Sequence, residues 1–148
     1  PFRLLDMGVP AFMVATSLQA VIAQRLLRLN CQECLAPHTP TPQEQSWMEA
    51  MLEPGEVLKP KRGLGCSQCN GTGYSGRQGV YELLEMDAAL THAATQSDPA
   101  TFLKTARERM KGQTMAFHAL QLVRSGKTSL AEALRIGFDS DGDEAMLG

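Results

Sequence analysis

The sequence of 148 residues predicts a mainly α-helical fold with a small cysteine-stapled insertion and little strand. Three observations support this prediction. Apolar residues recur at steps of three and four in residues 10–30 and again after Asp87, which is the periodicity of amphipathic helices. Four cysteines form two C-x-x-C pairs, the spacing of a metal-binding unit. Six glycines fall between Gly63 and Gly79 and favour tight turns over helix or a long strand.

The composition excludes several classes of protein. There are 14 Lys and Arg residues against 16 Asp and Glu residues, so the net charge is -2 and no positive field attracts nucleic acid. Hydrophobic residues make up 43% of the chain, but polar residues interrupt each apolar stretch before it reaches the length of a membrane span. The chain begins at Pro1 without an initiator Met or a signal pattern, and we interpret it as a fragment of a longer protein.

The first predicted element is one long amphipathic helix over residues 10–30. Its apolar residues follow helical spacing, and the polar residues lie on other faces: Gln19, Gln24, Arg25 and Arg28. We expect this helix to stop at Asn30. Three prolines then exclude a regular continuation: Pro37, Pro40 and Pro42.

A second helix is predicted to begin after Thr41 and to run to about Leu52. The residues from Thr41 to Glu44 form a capping box with proline at the first helical position. Pro54 and the glycine after it end this helix. The capping residues therefore define its start more sharply than its apolar pattern does.

Residues 80–84 have the composition of one short strand. After Asp87 the chain is expected to be helical. Asp98 and the proline that follows it predict the start of one helix, and Gly112 predicts its end.

Two more helices and an acidic tail complete the expected order. One helix is predicted over residues 114–125. Thr128 or Ser129 is predicted to cap the last helix, which we expect to end at Gly137. Residues 139–148 are acidic and are expected to form a frayed tail.

The cysteine pairs carry the strongest chemical signal. Two intervening residues let both sulfurs of a tight turn reach one ion. Two such turns predict a tetrahedral zinc site with four ligands: Cys31, Cys34, Cys66 and Cys69. Four thiolates leave no open coordination position, so the zinc is expected to be structural and not catalytic. Residues 31–69 hold too few large aromatic side chains for a self-sufficient core, and we expect metal to stabilise them.

Other interpretations of the cysteines stay open. An iron site of the rubredoxin type uses the same ligand spacing. Four free structural thiols are a second alternative. A redox-active C-x-x-C pair is a third, although neither pair opens a helix after a strand as thioredoxin-like sites do.

Three further patterns match known sites only in part. Residues 71–76 have the letters of a dinucleotide fingerprint, but they follow a cysteine pair and precede a strand. Residues 126–128 lack the earlier glycine of a phosphate-binding loop, and residues 139–143 lack the glycine and glutamate positions of a calcium loop. The histidines have no triad spacing; they are His38, His92 and His118. The sequence thus contains no self-contained active site.

Several short sequence motifs occur in a specific order along the chain. They are Arg3-Leu-Leu-Asp-Met-Gly8, Ala23-Gln-Arg-Leu26, the first cysteine pair, Cys66-x-x-Cys69-x-Gly-Thr-Gly-Tyr74-x-Gly-Arg77-x-Gly-Val-Tyr-Glu82, and Gly126-Lys-Thr-Ser-Leu130 with Glu132. In this order the chain resembles the C-terminal part of the type II secretion and type IV pilus-assembly ATPases. The resemblance covers nearly the whole chain.

The resemblance implies a piece of a hexameric motor that uses Mg and ATP. Such motors are cytoplasmic and peripheral to the bacterial inner membrane, where they contact platform proteins of a pilus or secretion machine. The fragment is expected to have no ATPase activity alone, because the phosphate-binding loop of the family lies upstream of its first residue. It is also expected to bind no nucleic acid and to span no membrane.

The resemblance also implies an arrangement of domains. Residues 1–30 are expected to be the end of a RecA-like α/β ATPase domain, and residues 31–69 its four-cysteine metal subdomain. A glycine-rich turn and strand over residues 70–86 return to the core. Residues 87–138 form the C-terminal helical part, and residues 139–148 the acidic tail.

Two arginines are candidates for contacts with nucleotide in the intact motor. Arg25 lies in the Gln-Arg-Leu motif and Arg77 in the Gly-Arg-x-Gly motif. The planar guanidinium group suits recognition of phosphate or adenine, and an interdomain salt bridge is the alternative role for each.

A rival interpretation is a stand-alone zinc module that binds protein partners. The second cysteine pair and its glycines also resemble one repeat of the cysteine-rich region of J-domain cochaperones. That region has several such repeats, whereas the first pair here lacks the glycines.

Overall fold

A computed structural model describes residues 2–96 and 99–145. In chain order the elements are α1 (Phe2–Asp6), α2 (Ala11–Ser17), β1 (Ala20–Asn30), β2 (Leu35–Pro37), α3 (Pro42–Met51), β3 (Lys61–Gly63), β4 (Tyr74–Glu85), α4 (Ala88–Thr95), α5 (Pro99–Arg109), α6 (Met115–Arg124) and α7 (Leu130–Ala145). Short 3-10 turns lie at Gln32–Cys34 and Ser67–Cys69.

The chain divides into two compact units. Unit 1 consists of residues 1–23 and 82–114, and unit 2 of residues 24–81 and 115–148. The fold is mixed, with 49% helix and 22% strand. The mainly α-helical prediction was therefore right about the abundance of helix, but "little strand" understated the second component. Within the described ranges, no helix combines the length and apolar character needed to cross a membrane.

The prediction of one helix over residues 10–30 was wrong. The chain is helical only over Ala11–Ser17, and Leu18 is already extended. From Ala20 to Asn30 it forms β1, which pairs with β4. Burial alternates along the middle of β1: Ala23, Arg25 and Leu27 are more buried than their neighbours. The same apolar residues fit a period of 2 as well as a period of 3.6, and the partner strand selects the former.

The strand predicted over residues 80–84 is longer in the structure. β4 covers Tyr74–Glu85 and includes two of the glycines that favoured turns. At Gly79, an added Cβ atom would lie 2.5 Å from the hydroxyl oxygen of Tyr81, so glycine here makes room for a side chain two positions along the same strand. The glycine-rich segment therefore contains both tight turns and the first half of a strand.

The capping signals predicted other helices well. Thr41 accepts a hydrogen bond from the amide of Glu44, and the Glu44 carboxylate accepts one from the amide of Thr41, as expected for the start of α3. Gly112 has a φ of 75° after α5, and the Ser129 hydroxyl accepts from the amide of Glu132 at the start of α7. The predicted cap Asp98 lies outside the described residues.

Gly137 does not end the last helix, and this prediction was wrong. α7 continues through it to Ala145. An added Cβ atom on Gly137 would lie 2.6 Å from Nε1 of Trp47, which belongs to α3. The glycine therefore allows α3 and α7 to approach closely and does not act as a helix stop. Residues 146–148 of the predicted tail lie outside the described part of the chain.

Candidate metal centre

The four cysteines lie on two turns that a small antiparallel ribbon brings together. Cys31 directly follows β1 and opens the first 3-10 turn, and Cys66 opens the second. Between them, β2 pairs with β3, with Leu35 opposite Gly63. The amide of Leu64 donates to the carbonyl oxygen of Cys34, which extends this pairing to the edge of the cysteine cluster.

The sulfur atoms fit one tetrahedral metal ion. The Sγ atoms of Cys31 and Cys66 are 3.9 Å apart, as are those of Cys34 and Cys69, and those of Cys66 and Cys69 are 3.7 Å apart. All four ligand atoms lie within 4.8 Å of one another. In a tetrahedral site with zinc–sulfur bonds of about 2.3 Å, neighbouring sulfurs lie about 3.8 Å apart. The predicted ligands are thus assembled with the spacing that zinc requires.

Backbone amides point at the sulfur atoms. The amide of Gly65 donates to Cys34 Sγ at 3.2 Å, and the amides of Cys66 and Gly73 donate to Cys69 Sγ at the same distance. The amide of Cys66, together with that of Gly73, lowers the pKa of the Cys69 thiol to about 6. Burial raises the pKa of Cys34 to about 11. Because a metal ion deprotonates the thiols that coordinate it, metal binding would bring both groups to the thiolate form.

The glycines around the cysteines permit close contact between backbone segments. A Cβ atom on Gly73 would lie 2.3 Å from the carbonyl oxygen of Gly63, and one on Gly65 would lie 2.5 Å from that of Gly71. Gly73 also has a φ of 77°, which L-residues with side chains rarely adopt. Its carbonyl oxygen accepts from the amide of Cys31. The glycines in residues 71–76 therefore allow backbone segments around the four cysteines to pack closely, and residues 71–76 do not form a dinucleotide loop.

Comparison with known proteins identifies the family of the chain. The sequence profile of a family described as "Type II/IV secretion system protein" matches residues 1–135. The chain belongs to this family. The match covers the paired strands β2 and β3, both cysteine turns and the start of α7.

Three relatives illustrate the range of the family. "Type II secretion system protein E" of Aeromonas hydrophila is 39% identical over 90% of this chain and 26% of the relative. "Type IV pilus assembly ATPase PilB" of Thermus thermophilus is 34% identical over 89% of this chain and 15% of the relative. "Type II secretion system ATPase E" of Vibrio cholerae is 34% identical over 93% of this chain and 27% of the relative. The chain thus spans about a quarter or less of the length of these relatives.

The two predicted nucleotide-contacting arginines lie on different strands. Arg25 is half-buried in β1, on the strand face that also carries Leu27. Arg77 is exposed on β4 and lines a cavity of about 340 Å³ with Leu26, Arg28 and Arg135. The structure therefore places Arg77 beside arginines that the sequence pattern did not single out.

The sequence reasoning missed an ionic cluster around Glu132. This carboxylate is 2% exposed and accepts hydrogen bonds from Nη2 of Arg28 at 2.7 Å and Nη2 of Arg135 at 3.2 Å. Burial raises the pKa of Glu132, but hydrogen bonds from Arg28 outweigh this effect and hold the pKa below its ordinary value. Arg28 and Glu132 are 104 residues apart, and Arg28 was assigned to a helix in the sequence analysis, so no local pattern indicated that the two side chains would meet.

The histidines form no catalytic arrangement within the described residues. His38 Nε2 lies 2.9 Å from the Glu44 carboxylate at the start of α3, and His118 Nδ1 accepts from the amide of Tyr81. His92 belongs to α4. His38 therefore contacts a residue near it in the sequence, whereas His118 joins α6 to β4.

Proposed function

We propose that this chain is the C-terminal zinc-binding part of a hexameric ATPase motor that powers type IV pilus assembly or type II protein secretion. Family membership over residues 1–135 supports the motor, and the four-cysteine cluster supports the metal. The chain has no catalytic residue of its own and depends on upstream parts of the protein for ATP hydrolysis. The intact motor is cytoplasmic, binds the inner-membrane platform of its machine, and contacts no nucleic acid.

The clustering of four sulfur atoms within 4.8 Å is the observation that carries the metal assignment. Cys31, Cys34, Cys66 and Cys69 supply all four ligands of a structural zinc ion. Zinc bound in this way cross-links the two turns and leaves no position for substrate or catalytic water. The metal unit thereby presents a rigid surface for contacts with subunits or platform proteins.

The nucleotide role belongs to the intact motor. Residues 1–30 complete a RecA-like domain, residues 31–69 form its metal subdomain, and residues 87–138 form the C-terminal helical part. Mg and ATP bind in the complete protein. Arg25 and Arg77 lie in its nucleotide neighbourhood, where a guanidinium group binds phosphate or stacks on adenine.

Elemental mass spectrometry tests the metal assignment on protein purified without added metal. We expect about one zinc per chain, as one tetrahedral four-sulfur site requires. The Cys66→Ser variant is expected to lose the zinc, together with protease resistance between Cys31 and Cys69. Ser67→Ala, an exposed change in the same turn, is the matched control and is expected to keep both. Iron in place of zinc, or four titratable thiols without metal, would contradict the assignment.

The same variants in the intact protein test the motor assignment. Nucleotide-dependent hexamers are expected for the unchanged protein and for Ser67→Ala, and fewer hexamers for Cys66→Ser. A protein that binds unfolded polypeptide and forms no hexamer with nucleotide would favour the stand-alone zinc module instead.

A further inference from the structure

Three arginines from three separate elements meet at one surface of unit 2. Arg28 of β1, Arg77 of β4 and Arg135 of α7 line a cavity of about 340 Å³, with Leu26 as its apolar wall. A second cavity of about 240 Å³ is lined by Arg28 and Arg77 together with Thr72, Tyr74 and Gly76. The two cavities share Arg28 and Arg77, and together we call them the arginine pocket.

Two of these guanidinium groups are held in place before any ligand arrives. The buried carboxylate of Glu132 accepts from Nε and Nη2 of Arg28 and from Nη2 of Arg135. It also accepts from the backbone amide of Arg28 at 2.9 Å. The guanidinium carbon of Arg28 lies 4.1 Å from the centre of the Tyr74 ring, whose hydroxyl lies 2.7 Å from the Ser129 hydroxyl. Such preorganisation reduces the cost of ordering long side chains when a ligand binds.

The charges in the pocket are unbalanced. The Glu132 carboxylate forms ion pairs with both Arg28 and Arg135. Within the described part of the chain, Arg77 has no carboxylate partner. Three guanidinium groups therefore share one carboxylate, which leaves a surplus of two positive charges. The side chains of Arg28 and Arg135 are 51% and 53% exposed, so solvent and solutes reach them. This arrangement suits a doubly charged anion.

We propose that the arginine pocket binds a doubly charged phosphoryl group, with Arg28, Arg77 and Arg135 as donors and Glu132 as the positioning residue. A tetrahedral phosphoryl group offers three terminal oxygens to guanidinium groups that arrive from three elements, whereas a planar carboxylate offers two. The guanidinium fork makes paired, charge-assisted hydrogen bonds with such oxygens. The inference rests on the proposed function only at Arg77, and it adds Arg28 and Arg135 as neighbouring donors.

Isothermal titration calorimetry on the 148-residue chain at low ionic strength tests the proposal, with inorganic phosphate, pyrophosphate and ATP as probes. We expect pyrophosphate to bind, and Arg77→Gln to weaken its affinity about tenfold or more, because charge-assisted hydrogen bonds are lost. Arg77→Lys keeps the charge without the fork and is expected to give an intermediate affinity. Lys104→Gln is the matched control: it removes one positive charge from an exposed position on α5, in the other unit.

The outcomes separate this proposal from the proposed function. ATP that binds more tightly than pyrophosphate identifies a nucleotide as the source of the phosphoryl group, and equal affinities identify a free phosphate compound. The absence of binding by all three probes, or an Arg77→Gln variant that binds like Lys104→Gln, overturns the pocket. Zinc content and hexamer formation test the proposed function independently, because the arginine pocket supplies no metal ligand.

Discussion

The β2–β3 ribbon with its two cysteine turns and the α4–α5 core of unit 1 achieve stability by different means. The ribbon contains few large apolar side chains, and glycine-to-glycine backbone contacts bring its two cysteine turns together. The α4–α5 core consists of buried apolar residues: Leu84, Leu90, Ala93, Ala94, Phe102 and Ala106. With the proposed zinc, the first region would depend on a ligand for its stability, whereas the second is stabilised by the removal of apolar surface from water.

This difference also explains why the two regions differ in sequence pattern. A metal site constrains ligand type and spacing, and its glycines are placed where a side chain would collide with backbone. An apolar core constrains volume and periodicity, and tolerates several residues at each position.

Removal of the metal is expected to have the largest effect. Chelation of zinc should raise amide exchange across the β2–β3 ribbon and leave the α4–α5 core protected, because structural zinc contributes about 10–16 kcal/mol of apparent binding energy in small domains. Hydrogen exchange with mass spectrometry measures both regions in one sample. Leu64, whose amide donates to Cys34, reports on the ribbon, and Leu90 in α4 reports on the core. Equal loss of protection in both would show that they unfold as one unit.

The Phe102→Ala variant tests the stabilisation of unit 1 by buried apolar side chains. Phe102 is 4% exposed, and its ring lies 5.4 Å from that of Phe2 in an edge-on arrangement. The truncation is expected to lower the free energy of unfolding of unit 1 by about 3–5 kcal/mol, since it removes apolar contacts and leaves a cavity. Leu103→Ala, at a 37% exposed position, is the control and should have a smaller effect. Urea unfolding measures the change, and the zinc content should stay constant; its loss in parallel would contradict independent stabilisation.

The smallest expected effect is electrostatic and lies in unit 1. The amide of Leu90, together with the Arg109 side chain, lowers the pKa of Asp87 below its ordinary value of 3.8. The stabilisation from the Asp87 carboxylate is therefore present above this ordinary value and is lost as the pH falls through the lowered pKa. Asp87→Asn keeps a capping side chain but removes the charge. Urea unfolding should find the variant less stable than the unchanged protein at pH 6, and the difference should disappear at low pH.

The four-cysteine cluster was predictable because its information is local. Cys31 and Cys34 are three positions apart, as are Cys66 and Cys69, and the structure brings all four together as expected. The capping box at Thr41 was predictable for the same reason. The arginine pocket was not, since Arg28, Arg77 and Arg135 come from three distant parts of the chain.

Residues 20–30 show where a local pattern is insufficient. The apolar positions from Val21 to Leu29 fit either a helix or a strand. A strand forms because β4 offers backbone hydrogen-bond partners, and nothing in residues 20–30 encodes the presence of β4. Gly137 shows the same limitation, because it resembles a helix stop until Trp47 of α3 is packed against it.

The sequence by itself determined the four-cysteine cluster, several helix caps and the family of this protein. Each depends on residue types at short, fixed spacings, where the geometry of a single turn decides the outcome. The tertiary structure alone decided that β1 is a strand, that α7 passes through Gly137, and that Glu132 lies beneath Arg28 and Arg135. These features depend on hydrogen-bond and packing partners that are distant in the chain, and such partners become neighbours only when the chain folds.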